Sequence, residues 1–200
     1  MKPYPYSFSF TSSAAAIQTS VALAAVFMRL ENWRLVREQA IRENMFQART
    51  VSYAERLFRE IASRLQTLNH AEINLLVNGN PTEQQQLVWL AICQRYAPIR
   101  DFAQEVLVEH YHQSRSQLAE QEFDAFYHRK AEWQVELERL APATLAKARR
   151  VVFRMLKECG LLNTDNLILP QALSTGLIVA MGDNAKRYRA IFPGVTYPHD

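Results

Sequence analysis

Cysteine, glycine and long apolar runs are all scarce in this chain, and each scarcity removes a class of function. Only Cys93 and Cys159 occur among 200 residues. They are far apart and lack C-x-x-C spacing or a paired framework, so they indicate a reduced, cytosolic protein rather than a disulfide-stapled one. The five glycines, at 79, 160, 176, 182 and 194, are too dispersed to write a P-loop or a dinucleotide fingerprint, and no cofactor is expected. There is no G-x-S-x-G elbow, no H-E-x-x-H pair and no cysteine beside a plausible histidine pair, so no catalytic constellation presents itself. The longest unbroken apolar run, Val21–Met28, falls well short of the roughly 20 residues that cross a bilayer. Ala14–Leu30 therefore reads as a buried core helix. A secretory signal would need a basic start and a small-residue cleavage site, whereas this run leads to Arg29, Leu30 and Glu31.

Metal-ligand spacing is equally thin. Asp124 with His128, and Glu109 with His112, share helical faces, but neither pair has a third partner and a metal site needs at least three converging ligands. The bland reading of both, hydrogen-bonded pairs on or between helices, is preferred, and a metal-dependent nuclease built on Asp124 and His128 is set aside. Trp33, Trp89 and Trp133 are assigned to packing.

What the chain does have is an ordinary globular composition with an unusual choice of cation. Its 48% apolar and 22% charged residues support a substantial core. Net charge is only +3, but 18 of the 23 cations are arginine, whose planar fork suits phosphate and base edges. Any polyanion site must come from how these cations are distributed.

Periodicity predicts an all-α, compact multi-helix fold. Residues 1–11, with Pro3, Pro5 and aromatics at 4, 6, 8 and 10, form an extended leader. Ser12 or Ser13 caps a helix running to Glu31; Asn32 caps Trp33–Asn44; Ser52 caps a helix running to Leu68. Helix, short connection and helix is the outline of a helix-turn-helix, though any helical hairpin shares it. Asn69 begins a short helix to Val77, and Asn78-Gly79-Asn80-Pro81 marks a boundary between an N-terminal helical lobe, 12–78, and a C-terminal one, 79–200. Helices follow over Pro81–Tyr96, Pro98–Ser114 and Glu120–Trp133. Pro142 opens and Gly160 closes a further one. Residues 161–170 suggest a turn and a short strand. If they fold back as a hairpin, the preceding helix belongs to a winged-helix module.

Two of these helices carry cations opposite their apolar faces. On Ser52–Leu68, the residues Ala54, Leu57, Phe58, Ile61, Leu65 and Leu68 gather on one side, with Ser52, Arg56, Arg59 and Ser63 within about 60° opposite. On Ala143–Cys159, Lys147, Arg150, Arg154 and Lys157 fall within about 80° opposite an apolar face. A solvated surface helix shows the same split, and Glu55, Glu60 and Glu158 stand near enough to pair with these cations. From the residues alone, a solvated face and a nucleic-acid surface remain equally open.

The runs Asn44-Met45-Phe46-Gln47-Ala48-Arg49-Thr50 and Arg56-Leu57-x-Arg59-Glu60-Ile61 are followed by Trp89-Leu90-Ala91-Ile92-Cys93 and Pro98-Ile99-Arg100-Asp101-Phe102. Then come Phe126-Tyr127-x-Arg129-Lys130-Ala131-Glu132-Trp133 and Phe153-Arg154-Met155-Leu156-Lys157-Glu158-Cys159-Gly160-Leu161-Leu162. In order and spacing, from about Ala25 to Leu177, this pattern closely resembles the BrxA family of bacterial phage-exclusion (BREX) systems. The resemblance implies a small, non-enzymatic, all-helical component of a phage-defence locus that binds DNA and works beside a methyltransferase, an ATPase and a phosphatase-like protein. It carries over no catalytic residue. An inner-membrane label once attached to the family disagrees with the short apolar run.

The combined expectation is a cytosolic, monomeric protein that binds double-stranded DNA through Arg49, Ser52, Arg56, Arg59, Ser63, Lys147, Arg150, Arg154 and Lys157, without metal or cofactor. Its affinity is expected to be largely nonspecific and strongly dependent on salt. The alternative is an adaptor that docks on another defence component, its cations pairing with acidic partner surfaces.

Overall fold

The computed structural model describes Tyr6, Phe10 and residues 14–132 and 141–195. The expected cap at Ser12 or Ser13, most of the leader and Trp133 lie outside the described residues. The fold is all-α, and its helix boundaries follow local capping chemistry. Helix α1 is Ile17–Leu30 and α2 is Trp33–Arg42, capped by Asn32, whose side chain accepts from the backbone N–H groups of Arg34 and Leu35. Helix α3 is Val51–Leu65. Its cap is Thr50 rather than the expected Ser52: Thr50 takes the extended backbone of an N-cap and its hydroxyl accepts from Tyr53 N, which leaves Ser52 inside the first turn.

Helix α4, His70–Asn78, starts with a reciprocal capping box between Asn69 and Glu72, and α5, Pro81–Arg95, with another between Asn80 and Glu83. Helix α6, Ala97–Phe102, continues through a π-wound turn, Ala103–Val108, into α7, Glu109–His112. Helices α8, Glu120–Ala131, and α9, Pro142–Glu158, complete the larger elements. Gly160, at φ +71°, supplies the left-handed residue after α9. Helix α10, Thr175–Met181, and α11, Ala185–Tyr188, close the chain.

The core lies around α5, which is buried from Gln86 to Cys93, and runs without a break from Leu23 and Val36 to Leu156 and Leu177. Trp89 is fully buried, and its indole N–H donates to Ile191 O at 2.9 Å. Trp33 stacks on Phe27, with ring centroids 4.4 Å apart. Phe10 is buried edge-on against Tyr96. No helix among the described residues is long and apolar enough to cross a membrane.

Residues 161–170 do fold back. Among the described residues no extended strand forms, but Leu162 bridges Ile168 and Gln117 bridges Leu167, both antiparallel. Asn163 N donates to Leu167 O, Leu169 N to Leu161 O, Ile168 N to Ser116 O and Leu118 N to Asn166 O. The segment after the turn is therefore bridged on one side by the segment before α8 and on the other by the segment after α9. In chain order, α6–α7 are followed by the first bridged segment, α8, α9 and the two bridged segments on either side of the turn.

Candidate nucleic-acid interface

Helix α9 is seated by its apolar side. Ala148, Val152, Met155 and Leu156 are buried in the core, and the helix packs against α8 and α5. Residues spaced three and four apart on the opposite side, Lys147, Arg150, Arg154 and Lys157, are all exposed. At 1.5 Å of rise per residue the stripe is about 15 Å long. The first turn of α9 contains no acid.

The four cations are not equivalent. Among the described residues, Lys147 and Arg150 make no ion pair or side-chain hydrogen bond. Arg154 donates from Nε to Glu158 at 2.7 Å, one helical turn on. Lys157 donates to Thr164 O at 3.1 Å and so ties the wing turn to the helix. Among the described residues, the N-terminal half of the stripe is therefore without partners and the C-terminal half is tethered.

Helix α3 behaves differently. Arg49, Ser52, Arg56 and Arg59 are exposed as expected, but Arg56 lies over the Tyr53 ring, 5.1 Å from its centroid, and Arg59 Nε reaches back to Glu55 O. Arg37 of α2 is paired with Glu55. The Ser63 hydroxyl is engaged within the fold: it donates to Glu60 O at 2.8 Å and accepts from Arg95 Nε at 3.2 Å, because α5 packs over this part of α3. The face also exposes apolar surface, at Val51 (64%) and Tyr53 (40%).

Arg64, on the same helix, is buried rather than exposed. It pairs with Glu60 at 2.5 Å, donates to Ala14 O at 2.7 Å and lies over Tyr96. Its position on the apolar arc of α3 was the sequence signal for a structural role.

The spare acid and thiol chemistry is committed elsewhere. Asp124 is paired with Arg149, which also reaches Glu120 at 3.2 Å, and Glu109 accepts from Gln113 at 2.7 Å. No group of three or more metal-binding side chains occurs among the described residues. Cys93 and Cys159 are both buried, and burial pushes both thiols up, away from the reactive thiolate.

The all-α fold and the cation stripe are accompanied by a family match: the sequence model of the BrxA family fits residues 4–184. The chain belongs to the BrxA family. It is 26% identical over 127 residues to the BREX protein BrxA of Escherichia coli O9:H4 (strain HS), an alignment covering 64% of this chain and 60% of that one. Over 130 residues it is also 26% identical to the BREX protein BrxA of Bacillus cereus (strain H3081.97), covering 65% of each. The chain thus aligns with somewhat under two thirds of the length of these BrxA relatives. A solved structure, an uncharacterized protein from Magnetospirillum magneticum, superposes with a TM-score of 0.80 at 18% identity, covering 94% of this chain and 98% of that one. At that identity the likeness shows the shared fold.

Proposed function

We propose that this chain is a duplex-DNA-binding component of a BREX phage-defence system, that α9 with its wing is the surface that meets DNA, and that the contact is made mainly to the phosphate backbone. The observation carrying the reading is the N-terminal half of the α9 stripe: Lys147, in the second turn, and Arg150, at the middle of the helix, are exposed and make no ion pair among the described residues. Arg154 and Lys157 extend the same line toward the wing. Arg56 and Arg59 of α3 and Arg49 just before it, with Ser52, are taken as a second, weaker backbone contact. The reading assigns the chain no catalytic step, and treats it as a cytosolic monomer.

A salt titration of binding to a labelled duplex of arbitrary sequence, with Lys147/Arg150 and Arg56/Arg59 charge reversals alongside, tests it. Binding that falls steeply with salt and is lost in the α9 reversal is expected, since each phosphate neutralised contributes about −0.9 to the slope of log K against log salt. Absence of binding at low salt would sink it.

The second reading is an adaptor docked on an acidic partner. It draws on α3, where exposed Val51 and Tyr53 lie beside Arg56. Tyrosine and arginine beside apolar surface suit a protein interface better than a phosphate track. In that case the Arg56/Arg59 reversal would abolish partner capture by a purified defence component and leave DNA binding unchanged.

A further inference from the structure

The α9 stripe contains one acid, and that acid is held in place from outside the helix. Glu158 follows Arg154 by one turn and accepts from its Nε at 2.7 Å. Its other carboxylate oxygen accepts from the backbone N–H of Ala15 at 2.8 Å, a contact between groups 143 residues apart in the chain. Ala15 is fully buried, and its neighbour Ala14 is fixed through its carbonyl by Arg64. The C-terminal end of α9 is also held by α5, where Gln85 Nε2 donates to Glu158 O at 3.2 Å. The Glu158 side chain is 30% exposed whereas that of Arg154 is 72% exposed. The acid is therefore the anchored member of the pair and the arginine the solvent-exposed one.

This geometry distinguishes the pair from an ordinary surface ion pair between two mobile chains. An unanchored partner gives up little when its arginine turns to another anion. An anchored carboxylate is already oriented, has lost its side-chain entropy in making the Ala15 bond, and offers Arg154 a standing charge-assisted acceptor.

Resting on the DNA-binding reading above, we propose that Glu158 is a positioning residue that withholds Arg154 from the phosphate backbone, so that Lys147 and Arg150 carry the contact and affinity stays modest. The N-terminal segment around Ala14 and Ala15 is the part of the fold that keeps Glu158 in this role. Glu158 touches no nucleic acid itself and acts through Arg154.

The test is a double-mutant cycle on duplex binding by fluorescence anisotropy, with wild type, Glu158→Gln, Arg154→Gln and the double variant measured at several salt concentrations. Glutamine keeps an acceptor for Ala15 N and removes the charge that holds Arg154. Glu158→Gln is expected to tighten binding by about three- to tenfold at low salt and to steepen the salt slope by about 0.9, the increment for one more phosphate contact. Arg154→Gln is expected to bind within about twofold of wild type, because the arginine was already withheld. That measurement stands even if Glu158→Gln fails to fold. In the double variant the gain should largely disappear.

A gain that persists undiminished without Arg154 would overturn the proposal, since Glu158 would then be acting only as a general negative charge. So would an Arg154→Gln variant that loses binding as severely as Arg150→Gln. If wild type binds and the α9 reversal abolishes binding while Glu158→Gln changes nothing, this inference alone fails. If wild type does not bind, the DNA-binding reading fails and takes the inference with it.

Discussion

Arg64 Nη2 stands 2.5 Å from Glu60 Oε1, with the side chains only 1% and 6% exposed. A pair this deeply buried is a poor source of net stability but a costly one to break, because removal of one partner strands a charge in a low-dielectric interior. Arg64→Met is expected to cost about 3–5 kcal/mol, the loss reinforced by the lost bond to Ala14 O. Replacing both residues, Glu60→Leu with Arg64→Met, should recover most of that. Urea unfolding of the single and double variants checks it, and equal destabilisation by both would refute the electrostatic account.

The two candidate caps of α3 make opposite predictions. Thr50 has the extended backbone and accepts from Tyr53 N, whereas Ser52 lies within the helix and is exposed. Thr50→Ala should therefore cost about 1 kcal/mol and Ser52→Ala close to nothing. Thermal or urea melts of the pair decide between them. Asn69→Ala should cost more, about 1–2 kcal/mol, because Asn69 closes a full capping box with Glu72 and also donates to Ala180 O at 3.0 Å.

His110 gives the fold a dependence on pH. Burial lowers its pKa below the ordinary imidazole value, against the pull of Glu122, whose carboxylate lies 3.1 Å from Nδ1. The folded state thus resists protonation more than the unfolded chain does. As pH falls through the ordinary histidine value near 6.5 the unfolded state binds more protons, and stability declines until the folded-state pKa has also been passed. Urea midpoints between pH 8 and 5 should fall for wild type, with a shallower decline in His110→Gln. An identical slope in both would assign the effect to other groups.

The difference between what could and could not be read from the sequence is one of range. Asn32, Asn69, Asn80 with Pro81, Pro142 and Gly160 act on backbone within a few residues of themselves, and the helix ends they predict are found at or beside those positions. Thr50 and Ser52 are both plausible local caps, and the backbone conformation that separates them is set by how the turn after α2 packs. Ser63 looked free because the guanidinium that occupies it, Arg95, is 32 residues away on α5. The wing was half legible: Asn163 to Ile168 signal a turn, but its third member, Gln117, comes from before α8. Of the α9 stripe, the exposure of all four cations was legible from the wheel. The tethering of Arg154 through Glu158 to Ala15 was not, because the controlling contact joins opposite ends of the chain.

The wing gives a last prediction. Its turn is held by Asn163, whose side-chain carbonyl accepts from Asp165 N at 2.9 Å and Leu167 N at 2.8 Å, so the tip is a fixed object rather than a loose loop. The tip residues are Thr164 and Asp165, both exposed, and Lys157 binds the Thr164 carbonyl, which places Asp165 near the C-terminal end of the cation stripe. If a duplex lies along α9, this carboxylate opposes its backbone at short range, where phosphate contacts are worth most. Asp165→Asn should therefore strengthen binding at low salt by a few-fold. Asp165→Lys should strengthen it further, with a salt slope steeper by about 0.9 as a new phosphate contact forms. Both substitutions lie on exposed surface and should leave the melting temperature unchanged, so a change in affinity reports the interface and not the fold. Equal affinity for wild type, Asp165→Asn and Asp165→Lys would mean that the wing points away from the nucleic acid, and the contact would then rest on Lys147 and Arg150 in the N-terminal half of the stripe.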